Sequence, residues 1–117
     1  MIPYQDWIAR GTAVCDAECA EAMGYVWRDC RPGGPQFWYT QLGERAPFLV
    51  APEYTTDRNH TAMMAEEVVA GGVSVVTRFN KFLSDCVPYW PLSPLDAWSL
   101  APSLVAYCAR RALREEA

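Results

Sequence analysis

The stretch "PEYTTDRNHTAMMAEEV", residues 52–68, decides the fold of this chain because it contains the clearest helix start. A proline-containing loop runs into an Ala/Met/Glu segment whose apolar residues recur at helical spacing. Thr56 or Asp57 can cap the first turn, because a short side-chain oxygen accepts a hydrogen bond from an early backbone N–H. Consecutive glycines at residues 71–72 end the segment. The pattern predicts a central helix near residues 57–70.

Two further segments predict helices. "TAVCDAECAEAMG", residues 12–24, has apolar side chains at three- and four-residue spacing and a terminal glycine suited to a left-handed cap. "SPLDAWSLAPSLVAYCARRALREEA", residues 93–117, predicts a turn and then a C-terminal helix, with Ser103 as a candidate N-cap. The segment at residues 73–86, "VSVVTRFNKFLSDC", fits a strand and a helix equally well, and periodicity leaves the choice open.

Between the first two helices the composition favours strands. Aromatic and β-branched residues cluster at 25–27 and 37–39, separated by the loop sequence "RPGGP". "APFLVA", residues 46–51, is either a third strand or an extended arm. The fold class expected is therefore α+β: a small antiparallel sheet packed with about three helices, in a single compact domain over residues 1–117.

The length and net charge of the chain limit the classes of function that it can have. The chain has 117 residues, of which half are apolar, enough to bury a core. A net charge of −4 disfavours nonspecific binding to phosphates, so no nucleic acid duplex is expected as a partner. No apolar run approaches the roughly 20 residues that span a membrane, and the N-terminus does not resemble a secretory signal. We therefore expect no membrane partner and a cytoplasmic location.

Arginine outnumbers lysine nine to one among the ten basic residues. The simpler interpretation is that this bias reflects a GC-rich source genome. The functional alternative is that some guanidinium groups bind planar anions, whose geometry they match.

The cysteines favour structural roles. Their odd number, together with the missing signal sequence, argues against a disulfide framework. Cys15 and Cys19 share one helix face, and a metal site would add Cys30 and His60, but only one short ligand spacing exists. Neither a metal nor another cofactor is expected, and the cysteines are interpreted as small buried hydrophobes. The five are Cys15, Cys19, Cys30, Cys86 and Cys108.

Three motifs together resemble the phage ABA sandwich domain, a family of small phage and prophage proteins. The Met-Gly-aromatic step at residues 23–25 and the Tyr-Thr-Thr-Asp step at 54–57 match the first two motifs of that family. Pro102 followed by Ala109, Ala112 and Leu113 matches the closing segment. The chain departs from the family at residues 73–100, where relatives have a strand pair. The resemblance implies a fold class and a phage origin, with no particular reaction.

Catalysis is not expected. His60 is the only histidine, and a general base needs a reactive partner within hydrogen-bond reach. No nucleophile elbow or phosphate-binding glycine loop is present. The Thr-Thr-Asp segment caps a helix in the simpler interpretation. In the alternative, the helix start and Arg58 bind an anion, although the carboxylate of Asp57 opposes a phosphate there.

The aromatic residues provide candidate binding surfaces. In "QFWYTQ" neighbouring side chains alternate between faces, so Trp38 points outward if Phe37 and Tyr39 point inward. The reverse arrangement would leave the other two rings exposed. Tyr89 and Trp90, held between prolines, are a second candidate surface.

Two hypotheses follow. The first is a non-enzymatic phage accessory protein that sequesters a small anionic ligand, such as a host immune signalling nucleotide. Its candidate ligand-binding residues are Trp38, Tyr54, Thr56, Asp57, Arg58 and His60. The second is an interaction module that binds a host or phage protein through an aromatic patch, for which Tyr89 and Trp90 are candidates. A homo-oligomer is expected in either case.

Overall fold

The computed structural model describes residues 2–87 and 100–114. Within these ranges the chain forms five helices and a two-stranded antiparallel sheet, so the predicted α+β class is confirmed. The helices are α1 (Tyr4–Ile8), α2 (Thr12–Ala22), α3 (Arg58–Ala70), α4 (Val73–Cys86) and α5 (Pro102–Arg114). The strands are β1 (Val26–Asp29) and β2 (Gln36–Tyr39).

Helix α5 lies at the centre of the helical body and packs against the other four described helices. Its buried face is rich in alanine, whose small side chain allows neighbouring helices to approach closely. Cys15, Cys19 and Cys108 are fully buried in the resulting core, as predicted for small hydrophobes. Burial also raises the pKa of each of these thiols, which keeps them protonated.

The predicted end of α2 and the predicted start of α3 are both confirmed. Helix α2 ends where Gly24 adopts a φ of +98°, and the N–H of Tyr25 donates to the carbonyl of Ala20, closing a Schellman motif. Helix α3 begins with Asp57 as its N-cap, whose Oδ1 accepts from the N–H of Asn59 at 2.8 Å. Of the two candidate N-cap residues, Asp57 caps the helix and Thr56 does not.

The ambiguous segment at residues 73–86 is the helix α4. The helix forms in spite of the strand-like alternation because helical spacing places Phe82 and Leu83 on one face, which is buried against the core. The helix is tied to α5 by Arg78, whose Nη2 and Nε donate to the carbonyl of Ala112 at 2.7 and 3.1 Å. Arg78 thus satisfies a carbonyl in the last turn of α5.

Two local predictions need correction. Residues 46–51 form no strand, and only an isolated bridge between Tyr39 and Arg45 extends the hairpin. Ser103 is not an N-cap, because α5 begins one residue earlier at Pro102, a residue type suited to a first helical position. The Ser103 hydroxyl instead lies 2.6 Å from the Tyr4 hydroxyl in a hydrogen bond that ties α5 to α1.

The hairpin has two chemically different faces. The register pairs Trp27 with Trp38 on one face and Arg28 with Phe37 on the other. The tryptophan face turns toward the helical body, where Trp38 is 5% exposed. On the opposite face, the guanidinium of Arg28 lies 4.4 Å from the centre of the Tyr39 ring. Part of the arginine excess therefore covers aromatic rings.

Candidate interaction groove

An open groove of about 510 Å³ separates helix α2 from the hairpin and from the loop at residues 49–53. Its size falls within the range of about 300–1,000 Å³ that is usual for binding sites. Side chains from three parts of the chain line it: Thr12, Ala13, Asp16, Ala17, Glu21, Trp27, Trp38, Leu49, Val50, Ala51 and Glu53. Most of the lining is apolar, and none of the described residues that line the groove is basic.

A pair of tryptophans forms one wall of the groove. The rings of Trp27 and Trp38 lie 5.3 Å apart at an angle of 56°, a tilted contact favoured by aromatic quadrupoles. Trp38 is nearly buried and also packs against Phe48, with ring centres 6.3 Å apart. Trp27 is 44% exposed, and its Nε1 donates to the Oε1 of Gln36 at 2.7 Å. The wall is therefore rigid at its base and accessible at its edge.

The opposite rim combines exposed apolar side chains with carboxylates. Leu49 and Val50 are 69% and 80% exposed, although both are large aliphatic residues. Three described lining residues carry carboxylates. That of Asp16 is hydrogen-bonded within the fold, and that of Glu21 lies 3.4 Å from Arg114. Glu53 is exposed and forms no ion pair with any described residue. An apolar groove with a free negative charge at its edge suits a partner with an apolar and a cationic group.

The Tyr-Thr-Thr-Asp segment has a structural role at two of its positions. Tyr54 is fully buried, and Thr55 is 3% exposed. Oδ1 of Asp16 on α2 accepts hydrogen bonds from the Thr55 N–H at 2.9 Å and from its hydroxyl at 2.8 Å. These hydrogen bonds hold the segment against α2 at a residue that lines the groove. Burial raises the pKa of the Tyr54 hydroxyl, which has no hydrogen-bond partner among the described residues.

The other candidate ligand residues lie outside the groove, around the start of α3. Thr56 and Arg58 are exposed, and Asp57 occupies the cap with its own carboxylate. The Nδ1 of His60 accepts from the N–H of Glu53 at 3.0 Å. An Asp57 oxygen lies 3.9 Å from the same nitrogen. His60 fastens the loop to the helix.

The structure bears on only one of the two predicted aromatic surfaces, that of residues 37–39. Trp38 points inward, so the arrangement with Trp38 outward is wrong. It nevertheless lines the groove. Phe37 and Tyr39 point to the other face, where arginine side chains cover them. Tyr89 and Trp90 lie outside the described residues.

Trp27, Leu49 and Val50 were not among the predicted site residues. The available signal for the loop was the apolar run "FLV" at residues 48–50, within the segment predicted as a third strand or an extended arm. The exposure of this run depends on tertiary packing, which the sequence does not show. For Trp27 the signal was the antiparallel pairing itself, since the residue opposite Trp38 must share its face.

The three fully buried cysteines are not activated nucleophiles. Burial raises the thiol pKa values of Cys15, Cys19 and Cys108, whereas a reactive thiol has a lowered pKa. Cys30, at the tip of the hairpin, is exposed. In residues 2–87 and 100–114, no three His, Cys, Asp or Glu side chains are grouped closely enough to hold a metal ion.

The fold and site define a small α+β domain with an open apolar groove. No protein-family model matches the chain, and no curated protein or solved structure matches it significantly. The resemblance to the phage ABA sandwich domain therefore stays a prediction from the motifs. None of the helices within the described segments has both the length and the hydropathy needed to cross a membrane.

Proposed function

We propose that this chain is a non-enzymatic interaction module whose groove binds a segment of another protein. The segment would place an apolar side chain between the tryptophan wall and Leu49, with an arginine or lysine beside Glu53. The observation that carries the proposal is the exposure of Leu49 and Val50 in the same groove as the half-exposed Trp27. The part of this groove formed by described residues contains carboxylates and no basic group. Exposed apolar patches bordered by polar groups mark binding surfaces.

The biological setting is proposed on separate grounds. The motif resemblance supports a phage or prophage accessory protein that acts on a host or phage partner in the cytoplasm. Five free cysteines fit a reducing compartment. A homo-oligomer, in which a second copy supplies the docked segment, remains one of the outcomes that the experiments below distinguish.

Selection from a random peptide display library against the folded protein tests the proposed partner chemistry. We expect enriched peptides to share an aromatic or aliphatic anchor flanked by arginine or lysine. Enrichment of acidic peptides, or of none, would contradict the proposal. Native mass spectrometry on the same sample distinguishes a self-associating protein from a monomer that binds a foreign segment.

A matched pair of leucine variants tests whether the groove is where such a peptide binds. Leu49→Ser is expected to weaken a selected peptide about tenfold, because the serine removes apolar area from the contact. Leu42→Ser is the control, since Leu42 is 89% exposed in the turn after β2 and does not line the groove. Isothermal titration with both variants measures the difference. Equal affinities for the two would place the binding surface elsewhere.

A further inference from the structure

We infer that the hairpin carries a second, independent site on its outer face, which binds a small phosphorylated molecule with a planar ring, such as a nucleoside monophosphate. A cavity of about 680 Å³ lies at the tip of the hairpin, on the side away from the tryptophan wall. Its lining includes Arg28, Arg31 and Tyr39. The described lining of this cavity contains arginines, whereas the described lining of the groove contains carboxylates and no basic residue.

The arginines of this face have no acidic partners within the described residues. Arg28, Arg31 and Arg45 are all exposed, and none forms an ion pair there. Among the described residues that line the cavity, Asp29 is the one carboxylate, and Arg28 and Arg31 supply two guanidinium groups. The third guanidinium, that of Arg45, lies 3.7 Å from the centre of the Phe37 ring and 6.0 Å from that of Tyr39. The face is therefore locally positive on a chain of net charge −4.

Stacking orients Arg28 for binding. Its guanidinium lies over the Tyr39 ring at 4.4 Å, while the arginine side chain remains exposed. The guanidinium thus contacts the ring and is still accessible to a ligand. Arginine planes stack on nucleobases as aromatic rings do. Arg28 is suited to hold the planar ring of the ligand.

Arg31 is placed to bind the phosphate. Its side chain folds across the hairpin loop, where a Cβ at Gly34 would lie only 2.6 Å from the Arg31 Cγ. The missing side chain at Gly34 therefore makes room for the stem of Arg31 beside the cavity. A guanidinium donates two parallel hydrogen bonds to a phosphate, and such charge-assisted bonds are strong.

The test is a titration followed by NMR of the backbone amides, with adenosine monophosphate, adenosine and inorganic phosphate as probes. We expect adenosine monophosphate to shift the amides of residues 28–31 and 43 saturably. Adenosine and inorganic phosphate are expected to bind at least about tenfold more weakly, because each lacks one of the two recognised groups. Sodium chloride at matched ionic strength controls for screening.

Two arginine variants locate the site. Arg31→Gln is expected to weaken adenosine monophosphate about tenfold, by loss of a charge-assisted interaction. Arg58→Gln is the matched control, because Arg58 is also exposed, lies at the start of α3 and forms no ion pair with a described residue. The inference is overturned if adenosine monophosphate shifts nothing saturably or if sodium chloride reproduces its shifts. It is also overturned if adenosine binds equally well, or if Arg58→Gln is the variant that weakens binding.

Discussion

Replacing Trp7 with alanine is expected to lower the free energy of unfolding by about 3–5 kcal/mol, the usual cost of removing a large buried ring. Trp7 is fully buried although it belongs to a helix of only five residues. Its ring packs against Tyr107 of α5, with centres 5.4 Å apart, and its carbonyl accepts from the Cys15 thiol at 3.1 Å. The cavity left by alanine would lie where α1, α2 and α5 meet.

Polar contacts strengthen this junction. The Nε1 of Trp7 donates to Glu18, and the same carboxylate lies 3.2 Å from Arg10 and 3.8 Å from Arg110. The variant Trp7→Phe keeps most of the buried ring and loses the N–H. It is expected to cost about 1–2 kcal/mol, from the lost hydrogen bond and the smaller ring. This milder variant keeps the comparison measurable if the alanine variant is largely unfolded.

Urea denaturation of the two Trp7 variants measures both effects. Trp27→Ala is the control, since Trp27 is 44% exposed and its truncation removes less buried area. We expect that control to cost clearly less than Trp7→Ala. A Trp7→Ala protein as stable as the wild type would mean that α1 is not docked on the core.

The second large effect is expected at Asp16. Changing Asp16 to alanine should lower the free energy of unfolding by about 2–4 kcal/mol, because the Thr55 N–H and hydroxyl would be left buried without an acceptor. Asp16 is 7% exposed, so water cannot readily replace its carboxylate. The contact joins residues 39 positions apart in the chain and fixes the loop before α3.

Adjacent threonines provide the control for this contact. Thr55→Val removes the buried hydroxyl and is expected to cost about 1–2 kcal/mol. Thr56→Val changes an exposed side chain by the same chemistry and should stay within about 0.5 kcal/mol of wild type. Thermal or urea unfolding of the three variants checks the order. Equal stabilities for the two valine variants would contradict the buried contact between Asp16 and Thr55.

The helices that could be predicted are those whose signals are local. A cap at Asp57, a glycine at the end of α2 and regular apolar spacing are properties of short segments, and helices α2 and α3 lie where expected. Helix α4 could not be predicted, because Val73 and Val75 favour a strand while the spacing of its other apolar residues favours a helix. Contacts with α5 decide between the two.

The candidate site was less predictable because it depends on which surfaces meet. Alternation showed that Trp38 and Tyr39 face opposite ways, but only packing against Phe48 and the core assigns Trp38 to the inner face. Tyr54 and Thr56 could not be distinguished from sequence as buried and exposed. The arginines that stack on Phe37 and Tyr39 come from β1 and from the turn after β2, a proximity that only the folded hairpin creates.

The central claim, that the groove binds an apolar segment flanked by positive charge, is tested most directly by a charge exchange at Glu53. The Glu53 carboxylate is exposed and unpaired among the described residues, and the backbone N–H, not the side chain, bonds His60, so Glu53→Lys should leave the fold intact. The measurement is the affinity of a selected peptide, and of a version with its basic residues changed to glutamate, for wild type and Glu53→Lys.

We predict that the basic peptide binds wild type about tenfold more tightly than it binds Glu53→Lys, and that the acidic version has the reverse preference. That reversal would assign the charged flank of the ligand to the rim of the groove. Unchanged affinities across all four combinations would contradict the claim.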